Sequence, residues 1–235
     1  PYTTLFRSGF MGFGHMAQVI FEAFDRAKLI PRAHVLFHRR DAAKAKENEQ
    51  KFKITSTSLK HLVQTSDVIF LGMRPQQADA AMEDLKREGG FEQKWFVSML
   101  AGNKIAYFRR HLGKEAQILR IMPNLPAAVG EGMTIVSYAE NCSADFRTFG
   151  SLALGAMGMI AEVPESLMDI TCAMAGSSPG FIFRLIEASA RIGEKHGIPY
   201  EQGLKIAAQA FAGSARLILQ EIGRASCRER VSSPV

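Results

Sequence analysis

Gly12, Gly14 and Ala17 stand at G-x-G-x-x-A spacing inside the segment Gly9–Ala17. Small residues in this pattern let an anionic group come close to the main chain. The first glycine permits a tight turn. The second removes the side chain that would block a pyrophosphate. The third small residue lets a helix pack closely on a strand, with the helix N-terminus facing the phosphates. The same letters also fit an ordinary glycine turn, so the surroundings must decide. Met16, Val19, Ile20, Ala23 and Phe24 form a helical apolar face directly after the glycines. His34–Phe37 then reads as a strand at the distance of the second β in a dinucleotide-binding βαβ unit. Gly12, Gly14, His15, Met16 and Ala17 are therefore assigned to the cofactor. His15 either bonds a phosphate or caps the helix.

His38-Arg39-Arg40 closes that second strand, where a fold selecting NAD often carries Asp or Glu. Two guanidiniums there can fork onto a 2′-phosphate, which points to NADP, with NAD as the second choice. The plainer reading of Arg39 and Arg40 is a solvated basic edge. Met73, Arg74 and Pro75 stand at the carboxyl end of a near-continuous apolar run, Asp67–Met73. Such runs are strands buried on both faces, and their carboxyl ends hold ligands.

The elements that must position these residues alternate. Asp41 can cap a helix to about Gln50, Ile54 lies in a short strand, and Ser58 can cap a helix through Leu62. After Pro75 a helix runs to about Arg87. Trp95–Met99 is a strand, Lys104–Leu112 a helix and Gln117–Met122 a strand. Thr134–Tyr138 and Met159–Val163 are further strands, separated by a helix at Asp145–Leu154. This alternation predicts an α/β fold, a doubly wound parallel sheet of Rossmann-like type. Beyond Val163 the patterns are helical only: Ser166–Ala175, Pro179–His196 and Tyr200–Gln220. The last two are apolar on wide faces that call for partners, as in a homodimer or higher homo-oligomer. The domains are read as 9–163, nucleotide-binding, and 164–220, all-helical and incomplete.

The two termini read differently from the rest. Pro1–Ser8 and Ile222–Arg228 can be encoded by opposite strands of one oligonucleotide. Segments 1–8 and 221–235 are therefore expected to be non-native scars resembling translated sequencing-adaptor DNA. The whole chain carries 29 Lys and Arg against 23 Asp and Glu. Leaving out Arg7, Arg224, Arg228 and Arg230, and Glu221 and Glu229, gives 25 against 21, a net of +4. That mild balance, without a basic run, suits a small anionic cofactor and argues against nucleic acid as partner. Cys142 and Cys172 have no metal-like spacing, so no metal is expected and a reducing cytoplasm is the plain setting. No apolar run is long enough to span a membrane.

Longer motifs stand in a fixed order. Ser66–Gln76 is similar to A-D-V-V-I-L-A-V-K-P-Q. Arg120–Gly132 is similar to R-V-M-P-N-T-P-A-x-V-G-E-G. Glu165, Asp169, Thr171 and Gly176–Phe181 follow E-x-x-x-D-x-x-T-A-L-S-G-S-G-P-A-Y. On these motifs the chain resembles the pyrroline-5-carboxylate reductases over nearly all of Gly9–Gln220. The resemblance implies a Rossmann-like domain followed by a helical dimerisation domain. It implies hydride transfer from NAD(P)H to the C=N bond of 1-pyrroline-5-carboxylate, a cyclic imine, giving proline.

By the same resemblance, Ala101 and Gly102 pass near the ribose or nicotinamide, unless they form a bare turn. Asn124 orients the nicotinamide, lines the imine pocket, or merely satisfies backbone groups of a turn. Ser177 and Ser178, before a helix with Pro179 in its first turn, offer N–H groups to the substrate carboxylate, unless they only join two helices. Glu165 and Asp169 are read as structural. The chain departs from the family at His15 (usually Asn), Arg74 (usually Lys), Ser178 (usually Gly) and Gly180 (usually Ala). At Ser178 the added Cβ would meet strain if the position needs positive φ. The family's later S-P-G-G-T-T loop is not found before Gln220, which predicts an incomplete enzyme. Two other readings stay open: a dinucleotide-binding paralogue with an accessory role, and a reductase of β-hydroxyacid dehydrogenase type.

Overall fold

The computed structural model describes Thr3 and residues 6–221, with Glu221 described by backbone alone. The expected foreign segments lie largely outside the described residues. Ser8–Met11 forms β1, whose partners are β2 (Val35–His38) and β4 (Val68–Leu71), both parallel to it. β3 (Thr55–Ser56), β5 (Trp95–Ser98), β6 (Gln117–Met122), β7 (Gly132–Tyr138) and β8 (Gly158–Glu162) complete one sheet. The strand order is β3-β2-β1-β4-β5-β6-β7-β8. Every neighbouring pair is parallel except β6 and β7, where Arg120 lies opposite Ser137 in antiparallel register. The expected parallel sheet is thus the dominant part of a mixed one. The strand order reverses between β1 and β4, and a crevice opens there beyond the carboxyl ends.

The helices start where the sequence supplies caps. Asp41 accepts from the Lys44 N–H ahead of α2 (Ala42–Phe52), Ser58 from the His61 N–H ahead of α3 (Leu59–Thr65), and Ser143 from the Phe146 N–H ahead of α6 (Ala144–Gly155). Between them stand α1 (His15–Arg26), α4 (Ala78–Glu88) and α5 (Ile105–Leu112). The core under α1 is aromatic. Phe10 stacks on Phe70 at 4.7 Å, and Phe13 stacks on Phe37 at 4.7 Å while meeting Phe21 and Phe52 edge-on. Phe6 takes part in a second cluster with Trp95 and Phe149. It lies among the residues read as foreign, and it packs as a core residue. Leu5 lies outside the described residues.

The expected single helix over Ser166–Ala175 is broken. A 3-10 turn at Glu165–Leu167 leads into the short α7 (Met168–Thr171), then a π-helical turn at Cys172–Gly176. The widened turn is closed by Ser177 N–H donating to the Cys172 carbonyl, while the Ala175 carbonyl turns away to accept from Asn124. The π turn thus coincides with a side-chain bond from a residue far away in the sequence.

The chain falls into two compact units, divided between Ser177 and Ser178. Segment 164–177 packs with the sheet unit. The Glu165 carboxylate accepts from the Ile105 N–H at 2.6 Å and from Arg120, whose side chain is 3% exposed, at 2.7 Å. The expected boundary near Val163–Glu165 therefore precedes the division by compactness. The second unit holds α8 (Ser178–Lys195) and α9 (Tyr200–Glu221), joined through Gly197 at φ +90°. The two helices approach closely at Gly203, where a Cβ would come 3.0 Å from Ala190 Cα. Phe181, Ile192 and Ile206 are each more than half exposed, so an apolar face stands open on this unit. Among the described residues no helix is long and apolar enough to cross a membrane, and no cluster of three His, Cys, Asp or Glu could hold a metal.

Candidate functional site

The glycine turn fills the crevice at the switch point. Gly12 has φ +88°, a conformation that a side chain rarely adopts. A Cβ on Gly12 would come 2.8 Å from the Met73 nitrogen, and one on Gly72 would come 2.7 Å from the Gly12 carbonyl oxygen. The ends of β1 and β4 are therefore in backbone-to-backbone contact. Gly14 differs. Its φ of −84° suits any residue, and a Cβ there would find nothing nearer than the Gly72 oxygen at 3.9 Å. Its bareness serves the space in front of it. Gly14 is the N-cap of α1, and it brings neither a capping side-chain bond nor an acidic residue in the first turn. The first N–H groups of α1 are thus left for an external acceptor. Ala17 is buried, and a Cβ on Gly72 would sit 3.4 Å from its own Cβ.

Phe13 fixes the turn from both ends of the residue. Its ring is in the core, 1% exposed. Its carbonyl faces three donors: Arg39 Nη1 at 2.8 Å, Gln18 Nε2 at 3.3 Å and the buried Asn48 Nδ2 at 3.4 Å. None of Phe13, Gln18 and Asn48 was singled out from the sequence. The acceptor is a backbone group, which no residue type advertises.

In front of the turn lies a cavity of about 570 Å³. Gly12, Gly14, His15, Met16, Arg39, Arg40, Met73 and Arg74, all assigned from the sequence, line it together. Gly72, His38, Asp41, Gln77 and Asp84 line it too and were not assigned. Arg40 reaches across to Asp84 on α4 at 2.7 Å, and Asp84 also pairs with Arg87 at 3.2 Å. The hydrogen bond from Arg40 holds the Asp84 carboxyl below the usual range. The Asp41 carboxyl is likewise lowered, first by the Lys44 N–H of its cap.

Seven assigned residues are not on this lining. Ala17 is buried beneath it. Pro75 opens an exposed 3-10 turn after Arg74. Ala101 and Gly102 form an exposed turn after β5, with Gly102 at φ +80°. Asn124 follows β6, and its amide joins two stretches of main chain. Its Nδ2 donates to the Ala175 carbonyl and its Oδ1 accepts from the Met133 N–H, both at 3.0 Å. Ser177 closes the π turn. Ser178, in the second unit, is the first residue of α8 and has no positive φ, so the serine at the family's glycine position carries no backbone strain.

A glycine turn at the switch point of a doubly wound sheet, facing an arginine-rimmed cavity, defines a nucleotide-binding α/β protein. Two sequence families match it in tandem: "NADP oxidoreductase coenzyme F420-dependent" over residues 7–102, and "Pyrroline-5-carboxylate reductase dimerisation" over residues 165–235. The chain is 30% identical over 229 residues to the pyrroline-5-carboxylate reductase of Aquifex aeolicus, spanning 97% of this chain and 84% of that protein. It is 31% identical to the enzyme of that name from Arabidopsis thaliana, over 91% of this chain and 77% of the relative. Among solved structures it superposes with a TM-score of 0.86 on the Plasmodium falciparum pyrroline carboxylate reductase with NADP bound, at 23% identity, covering 99% of this chain and 86% of that one. An imine reductase from Pseudomonas shares the fold at a TM-score of 0.66 and 12% identity, covering 94% of this chain and 77% of its own. The chain belongs to the pyrroline-5-carboxylate reductase family, a family of oxidoreductases.

Proposed function

We propose that this protein reduces 1-pyrroline-5-carboxylate to L-proline with NADPH, as the last step of proline synthesis. The observation that carries this reading is the uncapped turn at Gly12–Gly14, opening on a cavity rimmed by Arg39, Arg40 and Arg74, in a chain of this family. The residues fit a phosphorylated dinucleotide. Gly14 leaves room for a pyrophosphate at the N-terminus of α1, and His15 stands beside it. Arg39 and Arg40 are placed to hold a 2′-phosphate. Met16, Met73, Arg74 and Pro75, with Ala101 and Gly102, flank the ribose and nicotinamide side. The nicotinamide supplies a hydride when the cofactor is bound.

The protein's own residues mainly position. A cyclic iminium accepts hydride readily, so orientation and exclusion of water carry much of the rate. Asn124 holds the start of β7 and the π turn before Ser177 in one arrangement. Ser177 through its hydroxyl, together with Ser178, meets the substrate carboxylate. The apolar faces of α8 and α9 pair with those of a second copy. A reducing cytoplasm suits Cys142 and Cys172, the free thiols among the described residues.

The test is oxidation of NADPH by the purified protein with pyrroline-5-carboxylate, run against NADH and, with NADP+ supplied in place of NADPH, against 3-hydroxy acids. Reduction of the imine in preference to any hydroxy-acid reaction is the result that supports this reading. Turnover of a hydroxy acid alone would transfer the site to the hydroxyacid dehydrogenases. Tight dinucleotide binding without any turnover would leave an accessory paralogue.

A further inference from the structure

The cavity in front of the glycine turn is crossed at its outer edge by an ion pair. Arg40, just past β2, reaches Asp84 on α4, and both residues line the cavity. The two are 44 positions apart, so the contact belongs to the fold and not to local helix pairing. Asp84 is not held there by Arg40 alone, since Arg87 from its own helix also bonds it. The carboxylate is therefore anchored in place while it faces the guanidinium across the opening. Arg40 has one planar fork. A phosphate that binds it bidentately competes with Asp84 for the same N–H groups, and a dianion near Asp84 is also repelled by it.

We propose that Asp84 is a specificity-determining residue of the cofactor site, occupying Arg40 and so tempering the preference for a 2′-phosphorylated nucleotide. The inference rests on the cavity being the dinucleotide site. Arg39 is engaged differently. Its Nη1 bonds the Phe13 carbonyl, so it stands over the turn whether or not a phosphate is present. Arg40 is then the adjustable cation of the pair, and Asp84 sets how readily it leaves its partner. Removing the carboxylate frees Arg40 for a 2′-phosphate and leaves a nucleotide without that group little affected. Arg40 is exposed and the pair is solvated, so the change is modest and shrinks with added salt.

The experiment is calorimetric titration of the full chain with two probes, 2′,5′-ADP and 5′-AMP, in wild type, Asp84→Asn, Arg40→Ala and the double variant. Asp84→Asn is expected to tighten 2′,5′-ADP by about threefold to tenfold at low salt, on the scale of an exposed ion pair plus relieved repulsion. Its 5′-AMP affinity should stay within about twofold by the same reasoning, and most of the gain should vanish in the Arg40→Ala background. An unchanged ratio of the two affinities in Asp84→Asn would overturn the proposal. So would an equal gain for both probes, or a gain that survives without Arg40. Failure of wild type to bind either probe would instead remove the underlying reading of the cavity, and the proposal with it. Asp84→Ser, with a smaller polar side chain, guards against an asparagine-specific contact and should behave as Asp84→Asn does.

Discussion

Arg39 donates through Nη1 to the carbonyl oxygen of Phe13 at 2.8 Å, so a cation at the expected 2′-phosphate position also braces the glycine turn. The ring of the same Phe13 is locked among Phe21, Phe37 and Phe52. The turn is thus tied to the core by carbon on one side and to β2's far end by a hydrogen bond on the other. If the pair holds the 2′-phosphate as proposed, binding and stability are coupled at Arg39 and separable at Arg40.

That separation can be measured. Arg39→Ala should lower the unfolding free energy by about 1 kcal/mol, because Gln18 and Asn48 still reach the carbonyl. Arg40→Ala should stay within about 0.5 kcal/mol of wild type, as exposed pairs do. The double variant is expected to lose about 1.5–3 kcal/mol of preference for NADPH over NADH. Binding constants for both cofactors check this, and an unchanged preference would reduce the pair to a solvated edge.

Gly12 and Gly14 should fail in opposite ways. Gly12→Ala meets the Met73 nitrogen and a positive φ, and should cost about 2–4 kcal/mol of stability. At Gly14 an added Cβ meets nothing nearer than the Gly72 oxygen at 3.9 Å, so Gly14→Val should cost about 1 kcal/mol or less while abolishing NADPH binding. Urea denaturation and calorimetry on both variants test the contrast. Undiminished affinity in Gly14→Val would sink the assignment of the turn.

Asn124→Leu removes both amide bonds and leaves the Met133 N–H and the Ala175 carbonyl without that partner. The expected loss is about 2–4 kcal/mol. Asn124→Asp keeps an acceptor for Met133 but sets an oxygen against the Ala175 carbonyl, so it should rescue only part. If Asn124→Leu unfolds like wild type, the amide does not hold the π turn.

Tyr138 makes one of the high-pH contributions to stability, beside Tyr107 and Cys142, whose groups burial also pushes up. Burial first, and then the Glu162 carboxylate, push the Tyr138 hydroxyl up to about 12. An unfolded tyrosine ionises near 10. The stability that favours the neutral hydroxyl is fully present below about pH 10 and is lost as pH rises through about 12. Tyr138→Phe should flatten the fall in unfolding free energy over that window. Identical alkaline profiles for the two proteins would show that the ring does not carry the effect.

The sequence made the elements legible because their signals are local. Caps such as Asp41, Ser58 and Ser143 bond backbone three residues on, and the apolar run at Val68–Leu71 states its own burial. The direction of β7 was not legible, since an apolar strand reads the same whichever way it runs. Nor was the break over Glu165–Gly176, where the Ala175 carbonyl bonds Asn124 some fifty residues away. In the site, Gly12, Gly14 and the arginines announced themselves by type and spacing. Asp84 did not, because one carboxylate on a polar helix face looks like any other. Gly72 stood inside a quoted motif, yet its need for bareness arises only from Gly12 lying against it.

The mutual contact of Gly12 and Gly72 has a consequence for how fast a ligand is captured. Two strand ends pressed backbone to backbone cannot swing apart without tearing the sheet at β1 and β4, where their hydrogen bonds continue on both sides. The turn is therefore set before any nucleotide arrives. On the proposed reading, an incoming phosphate meets a turn that is already formed. Association is then governed by encounter and by the charge around the cavity mouth, and selectivity among nucleotides is expressed in how long each one stays.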